Sequence, residues 1–227
     1  MAALELVNSD THATLRMGAK ASCREPLVRI VVAEIAKAAT SCPIFFSKHA
    51  ETGAFYIAAL TGFMPGETLI DCPDEQSAFH SLEADRQGFF ASGESIALDR
   101  EHSRFAPGGS EPLFNPDGTP APGLRAVQRA IGHLVAGAAP TEAFIATLLS
   151  HRLIEPVNVA LSFDDGETLR LDGLYTVSLD ALGELDDGAV LALFRAGHLQ
   201  LAHAIAGSLH HVALMARRRN ARLTQFA

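Results

Sequence analysis

Val157-Asn-Val-Ala-Leu-Ser-Phe-Asp-Asp-Gly-Glu-Thr-Leu-Arg-Leu-Asp172 reads as a strand, a tight turn and a returning strand. Val157, Val159, Leu161 and Phe163 alternate with Asn158, Ala160 and Ser162, the period of a strand buried on one face. Asp164-Asp-Gly166 is a tight-turn signal, and Leu169 and Leu171 resume the alternation on the return. Leu174-Tyr-Thr-Val177 extends or bends that sheet past Gly173. A hairpin needs an apolar layer against its buried face, and the chain supplies one downstream. Asp186 is placed to cap a helix through Phe194, which Gly197 ends, and a long final helix is predicted from about His198 to Arg219. On it Leu199, Ala202, Ala206, Leu209, Ala213 and Ala216 step by three and four, while Leu201, Ile205 and Val212 widen the stripe. The fold class expected is therefore α+β, with small antiparallel hairpins packed against a C-terminal helical layer.

Working back toward the N-terminus, Leu124 to Val135 and Glu142 to Leu153 predict two helices broken at Pro140, with Thr141 as N-cap of the second. Between Ser103 and Pro122 lie five of the eleven prolines and three glycines, which no regular element survives. An ordered loop crossing the surface is expected there, pinned by Phe105, Leu113 and Phe114. Ile44-Phe-Phe46 and Phe55 to Leu60, separated by Lys48-His-Ala-Glu-Thr-Gly53, have the pattern of a second hairpin. Leu27 to Ala39 predicts an amphipathic helix that Pro43 stops. Met64-Pro-Gly-Glu67 is turn chemistry, Ala97-Leu98 a short strand, and Thr11 to Met17 an early strand. One domain is expected over 1–227, with an α+β part to about 102, the ordered loop at about 103–122, and a helix-hairpin-helix part at about 123–227.

The chain has 227 residues, 48% of them apolar and 19% charged, so it is long and apolar enough for a genuine core and unlike a disordered or collagen-like sequence. Eighteen Lys plus Arg against 26 Asp plus Glu leave a net charge of −8, which argues against a nucleic-acid partner. No Lys or Arg precedes the first apolar stretch and Glu5 interrupts it, so no secretory signal and a cytoplasmic location are expected. Cys23, Cys42 and Cys72 are far apart and read as reduced thiols. Leu199 to Ala216 approaches the length of a membrane span. It carries Gln200, His203, Ser208, His210 and His211, however, so no transmembrane segment is expected.

The order of signals resembles the SapC family of bacterial proteins over most of the chain. The features are Ala33-Glu-Ile35, Cys42-Pro-Ile-Phe-Phe46, Ala58-Ala-Leu60, Pro65-Gly-Glu67 and Glu111-Pro-Leu-Phe-Asn-Pro-Asp-Gly118. Farther on come Thr141-Glu-Ala-Phe144, Leu153-Ile-Glu-Pro156, Asp165-Gly166, Leu171-Asp-Gly-Leu-Tyr175 and Leu185-Asp-Asp187. The resemblance implies a fold and a context: an association with surface-layer proteins, and neighbours that include flavin-dependent halogenase-like proteins, cupin-like proteins and TonB-dependent receptors. It implies no reaction and no catalytic residue set.

The motifs of nucleotide binding, serine hydrolysis and zinc proteolysis are not present. His49-Ala-Glu51 has the spacing of one arm of a facial iron triad, or is simply a polar hairpin loop. His80 and Glu83 lie one helical turn apart, as suits a metal or a base pair, or an exposed helix face with Ser77, Ser81 and Asp85. Asp99 and His102 stand at the mouth of the Pro-rich loop, where the acid would orient an imidazole for proton transfer or both would anchor the loop. His203 and His210, with His198 and His211 nearby, would ligate metal or shuttle protons if they face a cavity. At the edge of the packed stripe they would be hydrogen-bonded helix residues. Arg217, Arg218, Arg219 and Arg222 either offset the helix dipole or meet an anionic partner.

Three functions are carried forward. The first is an accessory protein without catalysis that binds a small molecule or a protein partner, with no cofactor expected and a homodimer through the last helix possible. The second is an oxygenase-like enzyme of the non-haem type, holding iron or zinc through histidines and a carboxylate. A structural surface-layer component is a third, and predicts export.

Overall fold

The structure is a computed structural model that describes residues 4–18, 25–70 and 79–225; Cys23, Cys72 and Ser77 lie outside them. The elements in chain order are β1 (Leu4–Leu6), β2 (Arg16–Met17), β3 (Leu27–Ile30), α1 (Val32–Ala38), β4 (Ile44–Lys48), β5 (Phe55–Leu60), α2 (Leu82–Asp85), β6 (Phe89–Ser92), β7 (Ser95–Asp99), a 3₁₀ turn (Ser103–Phe105), β8 (Glu111–Pro112), α3 (Pro122–Ser150), β9 (Ile154–Ser162), β10 (Thr168–Val177), α4 (Leu179–Gly183), α5 (Asp187–Arg195), α6 (His198–Ser208) and α7 (His210–Gln225). All strand pairs are antiparallel, in sheets ordered β1-β7-β6, β2-β8 and β3-β5-β4-β10-β9. The fold class is α+β, as expected.

Contacts group the chain into two compact units, one of Met1–Arg24 with His80–Ala136 and one of Glu25–Phe79 with Gly137–Ala227. The first has a core of Met17, Phe89, Leu98, Phe105, Leu113, Leu124, Val127 and Ile131. The Pro/Gly-rich loop belongs to it, pinned as predicted by Phe105 and Leu113, with Phe114 packed alongside. Its Asn115-Pro-Asp-Gly118 is a turn closed by the Gly118 amide on the Asn115 carbonyl at 2.9 Å, with Gly118 at φ 78°.

The second unit holds the five-stranded sheet, covered by α1, the C-terminal part of α3, and α4 to α7. Its core includes Ile44, Phe45, Phe46, Ile57, Phe144, Leu148, Leu153, Ala202, Ile205 and Met215. The hairpin read first in the sequence is β9–β10, paired from Thr168 opposite Ser162 to Val177 opposite Ile154. A bulge between Leu171 and Leu174 bends it where Gly173 takes φ 72°. The second predicted hairpin is β4–β5. Asp186 caps α5 by accepting the Ala189 amide at 2.9 Å.

Four local expectations are corrected. Leu27 to Ala39 is not one helix, because Leu27–Ile30 pairs with β5 as a strand. Glu34 then accepts the Val31 amide at 3.0 Å, which starts α1 only at Val32. The β-branched run and the sheet partner override the helical spacing. Pro140 does not break the second-half helix: α3 runs from Pro122 to Ser150 through it. Thr141 is no N-cap there. Its hydroxyl donates to the Gly137 carbonyl at 2.6 Å and accepts the Val32 amide at 2.9 Å, so it serves the start of α1 instead. Packing of Phe144, Ile145 and Leu148 opposes the roughly 3 kcal/mol that an interior proline costs. Thr11 to Met17 yields only the two-residue β2, since residues 11–15 turn about His12.

The predicted last helix is two, α6 and α7, separated by Leu209, which keeps right-handed dihedrals of φ −61° and ψ −23°. The hitch has a chemical cause. Ser208 Oγ donates to the Ile205 carbonyl at 2.7 Å and His210 Nδ1 donates to that of Gly207, so side chains take carbonyls the helical ladder would use. Gln200, His203, Gly207, His210, Leu214, Arg217 and Ala221 form one exposed stripe across the hitch, and the apolar side packs on its own unit. By length and composition α3 is able to cross a bilayer, with an 18-residue window of mean hydropathy 1.2. Its Leu124, Val127 and Ile131 are however buried in one unit's core and its Phe144 and Leu148 in the other's.

Candidate functional site

The predicted residues are mostly spent on local structure. Asp99 accepts the Glu101 amide at 3.0 Å and His102 Nδ1 accepts that of Arg104 at 3.1 Å, so neither side chain orients the other and both anchor the loop. Glu83 is held by Arg86 through two hydrogen bonds, and His80 is exposed. His49 sits at the base of the β4–β5 turn, its amide on the Ala54 carbonyl at 2.9 Å, with Glu51 exposed in the turn. His203 and His210 share the exposed stripe of α6 and α7. Among the described residues no group of three or more His, Cys, Asp or Glu is arranged to hold a metal ion.

Three of the C-terminal arginines turn inward. Arg218 donates to the Leu69 carbonyl and Arg222 to that of Thr68, both at 2.6 Å. Arg219 lies over the Phe163 ring at 4.4 Å and pairs with Glu167 at 2.6 Å and Glu67 at 3.8 Å. Glu67 in turn accepts the Phe63 and Met64 amides at 2.9 and 3.2 Å. A Cβ on Gly62 would collide with the Glu67 backbone carbonyl, so the turn closes only around glycine. This cluster is a clamp on the loop Thr61–Ile70.

The buried titratable groups are structural as well. His211 is 9% exposed and its Nε2 donates to the Ala39 carbonyl, the end of α1, at 3.1 Å. Burial pushes its pKa below the usual 6.5, and His210 and Arg218 add to the effect. His198 lies edge-on to Phe144, with centroids 5.2 Å apart, and burial lowers its pKa too. Burial raises the Cys42 thiol to about 12, which leaves it a hydrophobe rather than a nucleophile. In the first unit, buried His12 accepts the Asn8 amide on Nδ1 at 3.1 Å, so Nε2 carries the proton and donates to Glu5 at 3.1 Å.

One recess has polar groups left over. In the second unit the end of β10, the facing residue of β9, the first turn of α4 and the C-terminal end of α6 enclose an open cleft of about 220 Å³. It is lined by Glu155, Thr176, Val177, Leu179, Asp180, Ala206 and Leu209. Thr176 stands directly opposite Glu155 in the β9–β10 register, which puts both side chains on one face of the sheet. The threonine is 6% exposed, and its hydroxyl has no hydrogen-bond partner among the described residues. Ser178 caps α4 through the Ala181 amide and so sets Leu179 and Asp180 at the rim. Leu179 is 52% exposed, an apolar side chain without cover.

Sequence reasoning missed this cleft. Glu155 and Thr176 are far apart along the chain and meet only because the bulge at Leu171–Leu174 shifts the register. The alternation of the hairpin predicts pairing, but not which acid faces which hydroxyl.

The architecture and the cleft define an α+β protein with a small recess at a sheet–helix corner. The chain belongs to the SapC family, whose model matches residues 7–215. No curated protein and no solved structure is significantly similar to it.

Proposed function

We propose that this SapC family member is a binding protein, an accessory rather than a catalyst, whose small-molecule ligand occupies the cleft between Glu155, Thr176 and Asp180. The observation that carries the reading is the Thr176 hydroxyl, buried at the cleft with no partner. Leaving a hydroxyl buried and unpaired costs about 1–3 kcal/mol, a penalty that a ligand supplying the missing hydrogen bond removes. The carboxylates of Glu155 and Asp180 orient such a ligand, and Val177, Leu179, Ala206 and Leu209 give it apolar contact.

The test is a nuclear magnetic resonance screen of the full chain against a mixed library of small polar and charged compounds. Amide shifts gathered at Glu155, Thr176, Val177 and Leu209 are the expected result. Shifts that gather elsewhere would overturn the cleft as the site, and near-stoichiometric iron or zinc in protein purified without chelator would instead favour the metal-dependent alternative.

A further inference from the structure

Resting on that binding role, we propose that the cleft takes a small primary ammonium ion carrying a short alkyl chain. Its polar lining is two carboxylates and one hydroxyl, with no Lys or Arg among the lining residues. Glu155 and Asp180 are both exposed, and among the described residues neither side chain forms a hydrogen bond or ion pair. An anionic ligand would bring further negative charge to this acidic rim on a chain already at −8.

A bare metal ion fits poorly. Four of the lining residues, Val177, Leu179, Ala206 and Leu209, are apolar and offer no coordination, and a hard divalent cation seeks six or more oxygens. An organic cation uses both kinds of lining. A primary ammonium has three N–H donors and no acceptor, and the cleft offers three oxygen-bearing side chains, Glu155, Asp180 and Thr176. A quaternary ammonium has no N–H and would leave the Thr176 hydroxyl unpaired. The alkyl chain covers Leu179 and Leu209. At about 220 Å³ the cleft is smaller than the roughly 300–1,000 Å³ of drug-sized pockets, which sets the short chain.

The test titrates the full chain with pentylammonium chloride, pentyltrimethylammonium chloride, 1-pentanol and sodium pentanoate, read by amide shifts at Glu155, Thr176, Val177 and Leu209. Pentylammonium should bind tightest of the four. Its affinity should fall about tenfold or more in the double variant Glu155→Gln, Asp180→Asn and about fivefold in Thr176→Val, since charged hydrogen bonds outweigh neutral ones. It should also weaken as sodium chloride is raised. Both variants should keep the wild-type melting temperature within a few degrees, because no described contact of the fold uses these side-chain oxygens. If 1-pentanol or pentanoate shifts these amides and pentylammonium binds no more tightly, the ammonium assignment fails and the binding role survives. Pentylammonium binding unchanged in the double variant overturns the assignment equally. If none of the four compounds shifts them, the ammonium assignment fails, and the binding role is then decided by the library screen.

Discussion

The loop Thr61–Ile70 and the cleft at Glu155–Thr176 belong to the same compact unit and dispose of their polar groups in opposite ways. In the loop, Glu67 is taken by two amides and Arg219, while Arg218 and Arg222 close on the Leu69 and Thr68 carbonyls. At the cleft, Glu155, Asp180 and the Thr176 hydroxyl have no such partners among the described residues. The loop carries the denser charge and the more conspicuous turn, and apart from Arg219 Nη1, which is buried without a hydrogen-bond partner, its charged groups are spent on the chain itself. Charge that is already paired holds the fold together, and polar groups left over next to a recess are what a ligand can use.

The sharpest way to break the comparison is to loosen the clamp. Gly62→Ala places a Cβ against the Glu67 backbone, and we expect a loss of about 3 kcal/mol in urea unfolding, the upper end for overpacking. A loss below about 1 kcal/mol would mean that the loop yields and is no clamp. Next comes Ser208, whose hydroxyl accepts the buried Ile44 amide at 2.9 Å and ties α6 to β4. Ser208→Ala should cost about 2 kcal/mol, the penalty of an orphaned buried donor; an unchanged midpoint would contradict the tie.

Acid should act through His211 and His198, whose pKa values are lowered in the folded state. The unfolded chain therefore binds more protons near and below pH 6.5, and stability rises with pH across that window. Their contribution is fully present above about 6.5 and is lost as the pH falls below it. Urea unfolding at neutral pH and in mild acid should show this loss, and His211→Gln should shrink it. The smallest effect is expected at His203, exposed on the outer stripe of α6, where His203→Ala should stay within about 0.5 kcal/mol of wild type.

Periodicity made the two hairpins, the α5 cap and the apolar last helix legible, because each rests on neighbours in sequence. The larger corrections come from distant partners and the smaller ones from local side-chain and turn contacts. β5 turned Leu27–Ile30 into a strand and the core around Phe144 carried α3 through Pro140, while the hitch in the last helix comes from Ser208 and His210 bonding the nearby Ile205 and Gly207 carbonyls. Histidines drew attention at the sequence level because imidazole is chemically versatile, but the structure spends His102 on a loop amide and His211 on the end of α1. The cleft left no trace in the pattern, since a threonine in a strand is ordinary until its register partner and burial are known.

The most direct measurement is the unfolding free energy of Thr176→Val, which swaps the hydroxyl for a methyl of nearly the same shape in a strand that favours either residue. If the hydroxyl is buried without a partner, the variant should match wild type or gain up to about 1 kcal/mol in the absence of ligand. A loss of more than about 1 kcal/mol would show that the hydroxyl is already bonded within the protein, and the cleft would lose the group that marks it as a site.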